Sequence, residues 1–294
     1  MTAREMHLPR RVRVTVVAIL ISIISSAGSS PVRTEPVRTR PVRALRVCAD
    51  PNNAPLSSQR APALENEIAE LLARELRARV EYTWWAQRRG FYRNTLSAGS
   101  CDVVIGVPAG LEMVRTTAPY YRSSYVFVAR ADRGLGVRSL DDPRLRRLRV
   151  GVQLAGDDGA NPPPVHALAR RGIIDNVVGY NALGDYAEAD PPAAALRAVA
   201  AGAVDVAIAW GPLAGGFARR SQVPLEIRPI AEAEDAGLPM AFSIALGVRR
   251  ADRGLAAELS RALAARRAEL DVLLAAWRVP RLPLPATPAG GAAR

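Results

Sequence analysis

At 294 residues, with 49% hydrophobic and 23% charged residues, the chain has the balance of a globular protein and the length of one large domain or two moderate ones. The formal net charge is +12, but residues 1–44 hold eight Arg and two Glu, which leaves 32 basic and 26 acidic residues with no run of five or six basic side chains. This argues against nucleic-acid binding, and the absence of any Lys excludes a Schiff-base lysine and a P-loop lysine.

Residues 1–27 read as a secretory signal. Arg4, Arg10, Arg11 and Arg13 precede an apolar run from Val14 to about Ala27 that is short for a bilayer span, and small residues follow it. An uncleaved anchor is the alternative. Residues 28–44 repeat a Pro-Val-Arg unit that cannot bury a core, the composition of a flexible linker.

From residue 45 onward, strand and helix patterns alternate. "ALRVCAD" is a short β-rich run, and Leu64, Ile68, Leu71, Leu72 and Leu76 follow at helical spacing. "RVEYTWW" predicts a strand, "RRGFYRNTLSAG" a helix closed by Gly99, and "CDVVIGV" a strand covered on both faces. That βαβαβ order implies a parallel sheet with right-handed crossovers. The pattern restarts with a strand at "RRLRVGVQ", a helix at "PPPVHALARRGI", a strand at "NVVGY", a helix at "PPAAALRAVAAG" and a strand at "AVDVAIAWGP".

Two internal echoes organise the chain. "AGSCDVVIGVP" and "AGAVDVAIAWGP" repeat a cap, a strand and a proline, and "RADRGL" occurs at 130–135 and 250–255 after an apolar strand each time. The expected fold is α/β, a clamshell of two α/β lobes joined by two crossover strands. The expected divisions are residues 45–129 for the first part of lobe one and 130–238 for lobe two. Residues 239–282 would return to lobe one, and 283–294 form a disordered tail.

Catalytic raw material is scarce: beyond residue 27 there is one His, His166, and no G-x-S-x-G, H-E-x-x-H or G-x-G-x-x-G. No catalytic residue, metal site or cofactor is expected. Cys48 and Cys101 fall on two predicted strands. Export permits a bridge between them, two buried thiols are the alternative, and the Cα separation decides. Binding groups gather at C-terminal strand ends, where α/β proteins form clefts. They are Asp50, Asn52, Asn53 and Leu56 after the first strand, then Trp84, Trp85, Gln87, Arg88 and Arg89 after the second. Val107, Pro108 and Tyr121 flank the third, and Asp157, Asp158 and Trp210 belong to the second lobe. Packing between the lobes is an equally good reading for Trp84 and Tyr121.

"LRVCADPNNAPL", "DVVIGV", "APYYRSSYVFVAR" and "VGVQ" resemble the family 3, type II periplasmic solute-binding proteins of the amino-acid-receptor kind. "LENEIAELLAREL", "EYTWWAQRRGFYRNTL", "NPPPVHALARRGIIDNV" and "VDVAIAWGPLAGGFARR" more closely resemble the J proteins of methanol-oxidation clusters, which are associated with quinoprotein dehydrogenases, in their lanthanide-dependent branch. The resemblance implies a periplasmic location. It also implies a pyrroloquinoline-quinone (PQQ) methanol or alcohol dehydrogenase as partner, with its cytochrome c as a second candidate, and no membrane attachment after signal cleavage. Amino-acid receptors carry an Arg in the loop after the "DVVIG" strand. Here Gly110 falls near that place and Arg115 is offset. Asn53 replaces a covering aromatic, Asp157 and Asp158 replace carboxylate-binding hydroxyls, and Trp210-Gly211-Pro212 replaces an ammonium-binding Asp. The receptor fold is kept without its amino-acid pocket, which favours an accessory role. Two other functions remain open: an importer's receptor for a less polar solute, and a dehydratase of cyclohexadienyl acids.

Overall fold

The computed structural model describes residues 43–154, 161–181 and 190–285, all within one compact unit. The expected signal, most of the linker, the end of the tail, and Asp157 and Asp158 lie outside the described residues. The chain begins with β1 (Arg43–Ala49), a small hairpin of β2 (Asn52–Asn53) and β3 (Ser57–Ser58), and α1 (Leu64–Leu76). β4 (Ala78–Trp84), α2 (Phe91–Asn94), β5 (Val103–Pro108), β6 (Arg115–Thr116) and β7 (Tyr121–Arg130) follow. Next come β8 (Val150–Leu154), α3 (Pro163–Arg170), β9 (Val177–Asn181), α4 (Ala194–Ala200), β10 (Val206–Trp210), α5 (Gly211–Arg220) and β11 (Leu225–Pro229). The hairpin β12 (Glu234–Asp235) and β13 (Leu238–Pro239) leads to β14 (Ala241–Val248), α6 (Arg253–Ala265) and α7 (Arg267–Ala276).

The strands run in the order β4-β1-β5-β14-β7-β10-β8-β9, with β11 on β7 and β6 on β14. β7 changes partner partway along. Tyr121–Ser124 pair with Ala241–Ile244 of β14, whereas Tyr125 onward pairs with β10 on one side and, from Val126, with β11 on the other. The far end of β14 pairs with β5 and β6. β7 therefore runs from one lobe's sheet into the other's in an α/β clamshell, and the chain returns from the lobe-two core at Met240 into lobe one along β14.

Each lobe is a sheet with apolar groups on both faces, and the twofold alternation of side chains sorts the residues. In lobe one, Val47, Val103 and Ile105 face a core built with α1, α6 and α7. Cys48 and Val104 face the opposite side, under Phe91 and Leu96, and Val107 joins them out of step after Gly106, whose φ is +81°. In lobe two, Val206 and Ile208 join Leu168 of α3, while Ala207 and Ala209 meet Leu196 of α4 and Leu213 of α5.

Two elements depart from the sequence expectation. The helix expected to reach Gly99 ends at Asn94. Thr95 leaves helical geometry at φ −119° and ψ −80°, and its hydroxyl bonds the Phe91 carbonyl at 2.7 Å. α5 was not legible, because Gly211, Gly215 and Gly216 read as helix breakers. These glycines let the helix approach backbone. A Cβ would strike the Ser124 carbonyl at Gly211, the Arg278 carbonyl at Gly215 and Pro55 at Gly216. The Arg219 guanidinium also lies over the Trp277 ring, 4.6 Å from its centre. The segment after α7 is tied to β7 in turn: Ser123 Oγ donates to the Pro280 carbonyl at 2.5 Å, and the Leu282 N–H donates to the Arg122 carbonyl at 2.9 Å.

Cys48 and Cys101 are joined, with Cα atoms 5.4 Å apart, because β1 and β5 are neighbours with Cys48 opposite Val104. Close by, Asp102 accepts from Arg46 and from Arg249, whose hydrogen bonds hold its carboxylate below the usual range despite partial burial. Glu65, in the first turn of α1, lays a carboxyl oxygen against Gly106 of β5, where φ is +81° and a Cβ would collide with it. Burial, and secondarily the charge of Asp50, pushes this carboxyl up to about 8.

Two expectations follow from this packing. Native protein should show no alkylatable thiol until reduced, by intact mass. Replacing both cysteines with Ala should cost about 2–4 kcal/mol in denaturant unfolding, and two freely alkylated thiols would contradict the bridge. Glu65 titrates near 8 when folded and near its ordinary 4.5 when unfolded, so the folded state holds the extra proton between those values. Stability should fall as pH rises from about 4.5 through 8, by up to about 5 kcal/mol for a shift of that size. Melting curves of Glu65→Gln should lack that decline; a difference from the native protein that stays constant across pH 5 to 9 would contradict it.

Candidate functional site

The C-terminal ends of β1, β4, β8 and β10 meet around a cavity of about 180 Å³ between the lobes. Lobe one contributes Asp50, Asn52, Asn53 and Leu56 from the loop after β1, and Gln87 from the loop after β4. Lobe two contributes Gln153 near the end of β8, Pro191 and Pro192 before α4, Trp210, and Leu213 of α5.

Asp50 organises the lobe-one wall. One carboxylate oxygen accepts the Asn52 N–H at 2.8 Å, the other accepts the Gln87 N–H at 2.6 Å, and its carbonyl accepts the Ser57 hydroxyl at 2.7 Å. The loops after β1 and β4 are thereby pinned to each other. Asn53 Nδ2 reaches Gln87 Oε1 at 3.4 Å, and Gln153 Nε2 donates to the Pro192 carbonyl at 2.7 Å. The lobes touch across the cavity where the Asp190 N–H donates to Asn52 Oδ1 at 3.2 Å.

Trp210 also borders a second hollow of about 210 Å³, with Gly106, Pro108, Tyr125, Phe242 and Ile244. Its ring meets Tyr125 and Phe242 edge to face, at centroid distances of 5.6 and 5.9 Å. These aromatics form an apolar wall where β7 passes from β14 to β10.

Of the residues expected from sequence, Asp50, Asn52, Asn53, Leu56, Gln87 and Trp210 line the one cavity, and Pro108 lines the adjoining hollow. Trp84 stacks on Tyr82 at 4.5 Å and packs against the lobe-one core. Val107 is buried on the disulfide face, and Tyr121 is buried edge-on to Tyr120. Trp85 projects outward with 44% of its surface exposed, next to exposed Arg88 and Arg89. Arg115 donates to the Arg250 carbonyl at 2.8 Å, and Gly110 has an exposed N–H that bonds Thr116 Oγ1 at 3.2 Å. Gln153, Pro191, Pro192 and Leu213 were missed. Gln153 alone carried a signal, since it sits near a strand's C-terminal end like the others. Among the described residues no group of three or more His, Cys, Asp or Glu is placed to hold a metal ion, and no helix is long and apolar enough to cross a membrane.

No family model matches the sequence. The chain is 32% identical over 250 residues to Protein MoxJ of Methylorubrum extorquens, covering 82% of each chain. It is 29% identical to Protein MoxJ of Paracoccus denitrificans, covering 81% of this chain and 89% of that one. Among solved structures it resembles the periplasmic binding protein XoxJ from Methylobacterium extorquens AM1 at 34% identity and a TM-score of 0.67, over 82% of this chain and all of that one. An ancestral cationic amino acid solute-binding protein, 19% identical with a TM-score of 0.62 over 80% of this chain and 95% of that one, shares the fold. By sequence and by architecture, the chain belongs to the MoxJ/XoxJ-like proteins of the family 3 periplasmic solute-binding proteins.

Proposed function

We propose that this protein is a periplasmic accessory protein of a PQQ-dependent methanol or alcohol dehydrogenase of the lanthanide type. It holds a segment of that enzyme in its cleft and aids the enzyme's maturation or activity, with no catalysis of its own. An N-terminal signal exports it, and a disulfide suits that oxidising compartment. Kinship with MoxJ and XoxJ proteins supports the class of partner.

The observation that carries the reading is the state of the cleft. A free amino acid needs a cation for its carboxylate and an anion for its ammonium group. Among the described residues no guanidinium lines the cavity, and both oxygens of Asp50 already accept backbone N–H groups. Each missing charge-assisted bond forgoes roughly 1.5–3 kcal/mol. The apolar hollow walled by Tyr125, Trp210 and Phe242 favours a second reading, a receptor for a less polar solute.

Calorimetry with the twenty free amino acids should show no micromolar binding. Trp85→Ala, at an exposed position on the rim, should weaken co-purification with the dehydrogenase by about 2 kcal/mol, near thirtyfold, as an interface anchor does. Trp210→Ala should do the same, with circular dichroism to confirm the fold. Arg88→Ala/Arg89→Ala should chiefly lower the association rate and its salt dependence. Unchanged binding by all three variants would place the partner on another surface.

A further inference from the structure

The walls of the cavity are chemically narrow. Among the described residues that line it, four are amides, Asn52, Asn53, Gln87 and Gln153, and the others from lobe two are Pro191, Pro192, Trp210 and Leu213. Each amide side chain offers one carbonyl acceptor and two N–H donors. Part of that capacity is spent inside the wall. Gln153 donates once to Pro192, Asn53 makes one long contact with Gln87, and Asn52 accepts from Asp190. Acceptance by Asn53 Oδ1 and Gln153 Oε1 and donation by Gln87 Nε2 appear in none of these bonds.

We infer that the cavity receives one uncharged, amide-bearing residue of a partner chain, a glutamine or asparagine. Three alternatives fit worse. A carboxylate would enter beside Asp50 with no guanidinium among the described lining residues to meet it. An ammonium group would have to reach Asp50 at one remaining lone pair per oxygen, on a side chain that is buried and already bonded to Asn52 and Gln87. Burying either charge without a partner is costly. A wholly apolar side chain would take water from the amides and give no hydrogen bond in return. A primary amide presents donors and acceptor in one plane, which suits amide walls at its edges, and its flat faces suit the indole and proline rings.

Size agrees with a single residue. About 180 Å³ is roughly six water volumes, whereas sites for drug-sized ligands span about 300–1,000 Å³. The inference rests on the proposed function only for the source of the residue, the dehydrogenase; the cavity's preference stands on its own chemistry.

The test uses the full chain and three capped residues, N-acetyl-L-glutamine amide, N-acetyl-L-glutamate amide and N-acetyl-L-phenylalanine amide, followed by ligand-observed NMR. The glutamine derivative should bind with millimolar affinity. Binding should fall by about tenfold or more in Gln87→Leu and separately in Gln153→Leu, both checked by circular dichroism. The glutamate and phenylalanine derivatives should bind at least about tenfold more weakly. The inference is overturned if either of these matches the glutamine derivative, if none binds, or if both Leu variants bind it unchanged. Co-purification with the dehydrogenase is scored separately. Failure of the native protein to form that complex, with glutamine binding present, would defeat the proposed function and leave the cavity assignment standing. A complex indifferent to Gln87→Leu, in a protein that binds no capped residue, would do the reverse.

Discussion

The rest of this molecule is arranged around one strand, β7, that serves two sheets. β7 gives its first four residues to β14 and the rest to β10 and β11. Side chains alternate across a strand, so β7 must satisfy several cores in turn: Tyr121 packs in lobe one, Phe127 under α3, and Val126 and Val128 under α4 and α5. The handover point carries the aromatic wall. Tyr125 pairs with Trp210 across β7 and β10, and Phe242 lies opposite Ser123 on β14. The cleft's apolar wall is therefore fixed by hydrogen-bonded register, while its polar wall comes from loops.

Those loops are held by local chemistry. Asp50 gathers the loops after β1 and β4 through two backbone N–H groups, and the Glu65 N–H, which donates to the Leu56 carbonyl at 2.8 Å, ties the start of α1 to the same rim. On the other side, α5 rests its glycine face on the Trp277–Pro280 segment and on Pro55. Backbone contact of this kind tolerates no added atom, so the angle between the lobes is constrained at α5 as well as at the crossing strands.

Much of the fold was legible because long apolar periodicities decide it. Leu64, Ile68, Leu71 and Leu72 are buried on one face of α1, as their spacing implies. α5 was illegible for a physical reason: a helix that packs backbone to backbone needs glycine, and glycine is read locally as a breaker. β11 escaped because "LEIRP" is half-buried up to its exposed Pro229 and too mixed to stand out. The cleft was partly legible through the rule that ligand groups lie at C-terminal strand ends. That rule does not say which way a side chain turns. Tyr82 and Trp84, two residues apart, share one face and stack, while Trp85, one position on, emerges into solvent. Pro191 and Pro192 reach the cavity through tertiary folding alone, which no local pattern records.

The central claim is that the cleft, and not the outer face of either lobe, is the working surface. Hydrogen exchange measured on the full chain with and without a purified PQQ methanol dehydrogenase tests it most directly. The account predicts added protection in residues 50–56, 85–89 and 206–213, on both sides of the cavity. Protection confined to α6 and α7 at the back of lobe one, in a complex shown to be stable, would contradict it.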